Sequence, residues 1–306
     1  MPNENGTISY ELLTLITTAT LIGTLARIFM IQIDYRQYPN YPNAYLIHIV
    51  TGALASAIGA FIVPAIVQEQ FTAVTFLALG VQHFRDVRKV ERESLLDLEG
   101  QEYTSRGEAY IDGISKTFES RNYIALIVSL ATGITIKIIQ SYTNTPTVIE
   151  IILSSIVGLL VFYMIKIFTK SHRLEDIATV TEGKIEVKNS TLYVNGMFVS
   201  NIMGRDEAKE WFVKDGIAAC IEPNHEHYQI PIMNPGQRQA ILFEVTRRLG
   251  QRKIYSVQDI NSGKLIIVVV PVIKSFELLK ETILLTPLLE TVKKNSKLLN
   301  IKKEGK

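Results

Sequence analysis

The first side chains with possible chemistry form the run EPNHEHY in the C-terminal half of the chain. Alternate residues of an extended segment point to the same side, so His225 and His227 could share a metal ion. Glu222 lies in the same run and is the third candidate ligand. However, Pro223 favours a loop, and no further ligand is identifiable. The run therefore has two interpretations, a surface loop and a metal site at Glu222, His225 and His227. We expect the loop, and we predict no cofactor.

Other sites of catalysis are not indicated by the sequence. It contains no P-loop, no Rossmann glycine pattern, no nucleophile elbow and no HExxH motif. Its one cysteine, Cys220, excludes an internal disulfide and a cysteine-based zinc cage. The net charge of +2 gives no general reason to expect nucleic acid as a partner. We therefore predict a protein that is not an enzyme and does not bind nucleic acid.

The elements that must position any functional residue begin with hydrophobic runs in the N-terminal half. Hydrophobic residues make up 47% of the 306-residue chain. A helix needs ~20 apolar residues to cross a membrane. The third run is shorter and must borrow residues 64–67 to cross, or is re-entrant. The runs occupy residues 12–33, 44–67, 71–84, 123–140 and 148–168.

These runs predict an all-α membrane bundle of about five transmembrane helices, followed by a small soluble α/β or α+β domain. Residues 1–84 hold transmembrane helices one to three, and residues 85–122 form a charged cytoplasmic helical segment. Residues 123–170 hold helices four and five. Residues 171–306 form the cytoplasmic domain, which ends in a basic tail. Because no basic stretch precedes the first run, we expect no cleavable signal peptide.

The orientation follows from lysine and arginine residues, which favour the cytoplasmic side of membrane proteins. They flank the ends of the third, fourth and fifth runs that would lie on one side of the membrane. With five crossings, the N-terminus is outside and the C-terminal domain is cytoplasmic. With four crossings the N-terminus is inside and Arg36 is outside, so we prefer the first solution. The residues are Arg85, Arg88, Lys89, Arg92, Arg121, Lys166, Lys170 and Arg173.

Two polar or small-residue patterns lie inside the spans. Small residues four positions apart let helices approach closely, either within the chain or between copies of it. Threonines on one face of the first span either bond to their own helix or line a pore in an oligomer. The small residues are Gly52, Ser56, Gly59 and Ala60, and the threonines are Thr14, Thr17 and Thr24.

Local signals outline the C-terminal domain. Asn195-Gly196 predicts a type I′ hairpin turn, and residues 265–270 (LIIVVV) predict a buried strand. A helix should begin at Asn234-Pro235, because Asn is a favoured cap and Pro is favoured at the first helical position.

A hexapeptide in the charged segment resembles the signature of a known protein family. It reads YIDGIS, from Tyr110 through Ile111, Asp112, Gly113 and Ile114 to Ser115. It resembles the signature of the YIEGIA family, polytopic membrane proteins of endospore-forming bacteria, with Asp in place of Glu and Ser in place of Ala. The order of spans, charged segment, further spans and soluble tail also resembles that family across nearly the whole chain.

The resemblance implies a membrane protein of the sporulation machinery or spore envelope, in the cell, forespore or spore membrane. It also implies a small cytoplasmic protein partner, described in the family as a capping subunit. Together with the small residues in the second span, it leads us to expect a homo-oligomer embedded in membrane lipid. A channel or transporter is one alternative, and a membrane-bound sensor with a ligand-binding or metal-binding domain is another.

Overall fold

The chain folds into two compact units. The computed structural model describes residues 9–34, 42–100, 102–143, 145–169, 172–188, 190–201 and 206–289. One unit, here called the helical unit, comprises Met1–Ser94 and Ile114–Lys170. The other, called the strand-rich unit, comprises Leu95–Gly113 and Ser171–Lys306. The charged segment predicted at 85–122 is thus divided, and its middle part belongs with the strand-rich unit.

Five long helices run through the first 170 residues, and four are long and apolar enough to cross a membrane. The helices are α1 (Tyr10–Asp34), α2 (Pro42–Val67), α3 (Phe71–Glu99), α4 (Glu108–Tyr142) and α5 (Thr147–Phe168). The four candidate spans are Tyr10–Ile31, Leu46–Val67, Glu108–Tyr142 and Thr147–Phe168.

The third helix differs from the prediction of about five spans. α3 is one continuous helix, so residues 71–84 do not turn back as a re-entrant segment. Glu69, with a φ of 56°, lies in the tight turn that precedes it. Gly80 of α3 faces Ile58 of α2, and Phe84 clusters with Ala55, so the two helices form an antiparallel hairpin. Because α3 becomes charged from Arg85 onward, it is not among the four apolar candidates, and a fifth crossing stays a prediction.

The strand-rich unit contains two antiparallel sheets. The strands are β1 (Ala178–Glu182), β2 (Ile185–Lys188), β3 (Thr191–Val194), β4 (Met197–Ser200), β5 (Ile217–Pro223), β6 (Lys253–Asp259) and β7 (Lys264–Val270). The four-stranded sheet has the order β1-β5-β7-β6, and the three-stranded sheet has the order β2-β3-β4. Every strand pair in the described residues is antiparallel, which selects α+β from the two predicted classes. The helices are α6 (Asp206–Asp215), α7 (Gln229–Met233), α8 (Pro235–Leu249) and α9 (Phe276–Leu285).

β7 lies between two cores, which explains its uninterrupted apolar sequence. Leu265, Ile267 and Val269 pack into a core formed with α8, α9, β1 and β5. Ile266, Val268 and Val270 pack into a second core with β3, β4 and α6. Side chains alternate across a strand, so a strand covered on both faces must be apolar at every position.

The turn and cap signals are confirmed. Asn195 and Gly196 both have positive φ, 50° and 79°, in the turn between β3 and β4. The Asn234 side chain accepts a hydrogen bond from the Gln237 backbone N–H at 3.1 Å, and α8 ends at Gly250. The predicted basic tail, from residue 290 onward, lies outside the described residues.

Candidate functional site

The start of α4, which carries the YIDGIS motif, packs against α8 within the strand-rich unit. The Tyr110 hydroxyl donates a hydrogen bond of 2.6 Å to Oε1 of Glu244. The Tyr110 ring meets Phe243 edge-on, with 6.2 Å between the ring centroids. The second Glu244 oxygen accepts a hydrogen bond from Arg247 Nη2 at 2.8 Å. Tyr110 is buried, and its hydroxyl and Arg247 occupy both carboxylate oxygens of Glu244.

Arg106 contacts Phe243 of α8 and also two glutamates at and after the end of α3. Its guanidinium carbon lies 4.8 Å from the centroid of Phe243, at cation–π distance. Its Nη2 donates to Glu102 at 3.2 Å, and its backbone N–H donates to both carboxylate oxygens of Glu99 at 2.9 Å. Arg106 is buried, so this neutralisation by carboxylates is needed to keep its charge in the interior.

The loop between α3 and α4 is held by amide side chains on α8 and just after its end. Gln239 Nε2 donates to the Ser105 carbonyl at 2.6 Å, and Gln251 Nε2 donates to Thr104 Oγ1 at 2.8 Å. Gly107 has a φ of 85°, and a Cβ there would meet Gln239 Cγ at 3.2 Å. We call residues 99–100 and 102–111 the strap. The contacts described above fasten it to the strand-rich unit, and none of them presents a free nucleophile or base.

The remaining motif residues divide between burial and exposure. Ile111, Ile114 and Ser115 are buried, while Asp112 and Gly113 are partly exposed. A Cβ added at Gly113 would meet no heavy atom of the described residues within 4 Å. The boundary between the two units falls after Gly113, within α4. The motif therefore spans the point at which α4 passes from one unit to the other.

A buried polar cluster in the helical unit, which contains Arg27 and His48, was missed by the sequence analysis. Arg27 is fully buried on α1, and its Nη2 lies 3.2 Å from Nδ1 of His48 on α2. A guanidinium can only donate, so Nδ1 accepts and the imidazole is neutral. Phe118 of α4 lies beside both, 5.5 Å from the Arg27 guanidinium and 4.9 Å from the His48 ring. Gly52 makes room, because a Cβ there would lie 2.4 Å from Arg27 Cγ. The signal in the sequence that could have indicated this cluster is Gly52, one helical turn after His48.

The small residues of the second span lie against other helices of the same chain. Ser56 accepts, through its backbone carbonyl, a 2.6 Å hydrogen bond from the Ser129 hydroxyl. A Cβ at Gly59 would lie 2.4 Å from the Leu126 carbonyl oxygen, and Ala60 is fully buried. With Gly52 against Arg27, all four residues are used for packing within the helical unit.

Three threonines of α1 bond to their own helix, whereas the buried Thr20 hydroxyl has no hydrogen-bond partner among the described residues. The hydroxyls of Thr14, Thr17 and Thr24 donate to the carbonyls of Tyr10, Leu13 and Thr20, at 2.7 to 2.9 Å. Such back-bonding satisfies a hydroxyl without any partner across the helix. These contacts do not bring the threonines together as a pore lining.

The EPNHEHY run begins in the last residues of β5 and continues as a turn, so it is not extended throughout, as the metal interpretation assumed. Glu226–Tyr228 is a short 3₁₀ helix, and the His225 and His227 rings stack with centroids 5.5 Å apart. Glu222 instead accepts a 2.8 Å hydrogen bond from Lys264, which raises the pKa of that lysine. Across the part of the chain that the structure describes, no three His, Cys, Asp or Glu side chains are arranged to hold a metal.

Comparison with known proteins gives one family and one curated relative. The family model described as YIEGIA protein matches residues 15–298. A Bacillus subtilis (strain 168) protein, described as uncharacterized protein YphB, is 35% identical over 283 residues, covering 90% of this chain and 92% of that protein. No solved structure matches the chain.

Proposed function

Because the chain belongs to the YIEGIA family, we propose that it is a non-enzymatic membrane component of a sporulation or spore-envelope assembly. In this proposal the candidate spans associate into an oligomer in the lipid bilayer. The strand-rich unit is cytoplasmic and binds a small protein partner, and the N-terminus is on the other side of the membrane.

The contacts made by the family motif support this proposal. Tyr110 is buried and bonded to Glu244, and Ile111 next to it has no exposed surface. These residues fasten the strap to α8, so the motif has an explanation that requires no reaction. A domain fixed in this way is suited to serve as a docking platform.

The exposed surface of α5 supports association through the spans. This helix buries a single strip at four-residue spacing, formed by Glu150, Ser154, Gly158 and Phe162. Gly158 in this strip faces Thr132 of α4. The rest of the helix presents large exposed aliphatic side chains, which suit lipid or another copy of the chain. The exposed residues include Ile149, Ile152, Leu153, Ile156, Leu160 and Ile167.

Purification from a sporulating host in a mild detergent tests the proposal. We expect a particle larger than one 34.4 kDa chain, together with a small co-purifying protein. Light scattering coupled to size exclusion gives the protein mass without the detergent. A monomeric particle with no associated protein, from vegetative and sporulating cells alike, would contradict both parts of the proposal.

A further inference from the structure

A polar cavity lies at one end of the helical unit, where α1 begins and where α2 and α4 end. Its volume is about 70 Å³, which gives room for roughly five atoms the size of a water molecule. Leu12, Leu15 and Pro64 form part of its wall. We call it the end cavity. The polar residues that line it are Ser9, Glu11, Gln68, Lys137 and Gln140.

The end cavity contains one carboxylate and one ammonium group. Glu11 lies in the first turn of α1, and Lys137 lies near the end of α4. Among the described residues, neither of these side chains forms an ion pair. A metal cation would be repelled by Lys137 and an anion by Glu11, so the lining best suits a ligand that carries both charges.

Two glutamine side chains add an acceptor and a donor beside these charges. Gln140 Nε2 donates to Oε2 of the buried Glu150 on α5, at 3.3 Å, so Oε1 is the atom of this amide that can accept. Gln68 Oε1 accepts from Gln70 Nε2 at 3.0 Å, so Gln68 Nε2 can donate. The end cavity therefore offers acceptors to an ammonium group and donors to an anionic group.

Exposed aromatic residues surround this end of the helical unit. Tyr10 and Tyr142 are 71% and 84% exposed, and Phe71 begins α3 at the same end. Tyrosine side chains of membrane proteins are enriched at the level of the lipid headgroups. A lysine such as Lys137, in the apolar last part of a span, extends its ammonium toward the same level. Since α1, α2 and α4 are candidate spans, we expect the end cavity at headgroup depth.

We infer that the end cavity binds the headgroup of a zwitterionic phospholipid of the phosphatidylethanolamine class. The primary ammonium donates to Glu11 and to Gln140 Oε1, and the phosphate accepts from Lys137 and Gln68. A choline headgroup is a poorer match, because its quaternary ammonium is bulkier and has no N–H to donate. The inference concerns lipid alone and is independent of the protein partner and the oligomer of the proposed function.

Native mass spectrometry of the delipidated full chain in detergent tests this site. The probes are dihexanoyl phosphatidylethanolamine, dihexanoyl phosphatidylcholine and free phosphoethanolamine, at equal concentrations. We expect one tightly bound phosphatidylethanolamine per chain. The choline lipid should bind roughly fivefold more weakly, because it loses the hydrogen bonds of the ammonium group. Free phosphoethanolamine should also bind more weakly, because it lacks the acyl chains that lie in the apolar phase.

Two size-matched substitutions locate the site. Glu11→Gln should abolish the preference for the ethanolamine lipid, and Lys137→Met should weaken binding of both lipids roughly fivefold. Two control variants should leave binding unchanged. Glu69→Gln removes a carboxylate in the turn before α3, at the same end of the unit, and Lys166→Met removes a lysine from the last turn of α5. Circular dichroism is used to show that all four variants keep their helices.

The outcomes separate the lipid site from the proposed function. Equal binding of the two lipids to the wild type, a preference that survives Glu11→Gln, or equal losses in the control variants would overturn the site. Free phosphoethanolamine that binds as tightly as the lipid would replace the bilayer lipid with a soluble zwitterion. The oligomer and the protein partner are measured separately, by the purification described above, and stand or fall with that result.

Discussion

Replacing Tyr110 with Phe removes one hydrogen bond from the strap and leaves the rest of the side chain in place. The hydroxyl is buried and lies 2.6 Å from Glu244 Oε1. The aromatic contact with Phe243 is kept. The variant therefore measures the contribution of this hydrogen bond to the stability of the strand-rich unit.

The expected loss in the free energy of unfolding follows from the negative charge of the acceptor, Glu244. Hydrogen bonds to charged groups contribute about 1.5–3 kcal/mol to the free energy of unfolding. Glu244 keeps its hydrogen bond to Arg247 at 2.8 Å, so its charge stays compensated and the lower part of this range applies. For a unit of this size, 1 kcal/mol lowers the melting temperature by roughly 2–4 °C. We therefore expect Tyr110→Phe to lower it by roughly 3–8 °C.

The assay uses the single tryptophan of the chain. Trp211 lies on α6, so its fluorescence follows unfolding of the strand-rich unit in the detergent-solubilised full chain. Tyr103→Phe is the control, because Tyr103 belongs to the same strap and is 79% exposed. A cycle with Glu244→Gln should show coupling between the two sites. A Tyr110→Phe protein that melts with the wild type and the Tyr103 control would refute the strap as a stabilising contact.

Local geometry predicts the effects of three further substitutions on stability. Gly113→Ala should stabilise α4 by roughly 0.5–1 kcal/mol, because alanine favours the helix and the new methyl group has no described heavy atom within 4 Å. A loss in thermal stability would show that the glycine is required. Gly196→Ala should cost roughly 1 kcal/mol at its φ of 79°, measured by Trp211 unfolding, and an unchanged midpoint would contradict a strained turn. Gln237→Leu should cost about 2–4 kcal/mol in the same assay, since its amide bonds the Pro287 carbonyl and the Leu289 N–H in the interior; a neutral effect would mean that water replaces it.

The elements with strong local signals could be predicted from the sequence. The Asn195-Gly196 turn and the Asn234 cap depend on backbone angles and hydrogen bonds within four residues, so the sequence contains the whole cause. β7 was recognised because both of its faces are apolar. β1, β2 and β6 were not predicted, because each mixes polar and apolar residues and owes its stability to pairing with a neighbouring strand.

The contacts of the strap could not be predicted, because they join residues far apart in sequence. Tyr110 and Glu244 are separated by 134 positions, and neither residue has a distinctive neighbour that reports the other. The pair Arg27 and His48 was equally hidden, since the two residues lie on different helices, 21 positions apart. Their contact depends on how α1 and α2 pack around Gly52.

The strap lies where the chain passes through the strand-rich unit between two long helices. α3 ends and α4 begins within the strand-rich unit, and both helices continue as parts of the helical unit. Tyr110, in the first turn of α4, is held by Glu244 of α8, so this end of the helix is fixed within the strand-rich unit. The motif therefore has a structural role that requires no reaction, because it fixes the point at which the chain leaves the strand-rich unit.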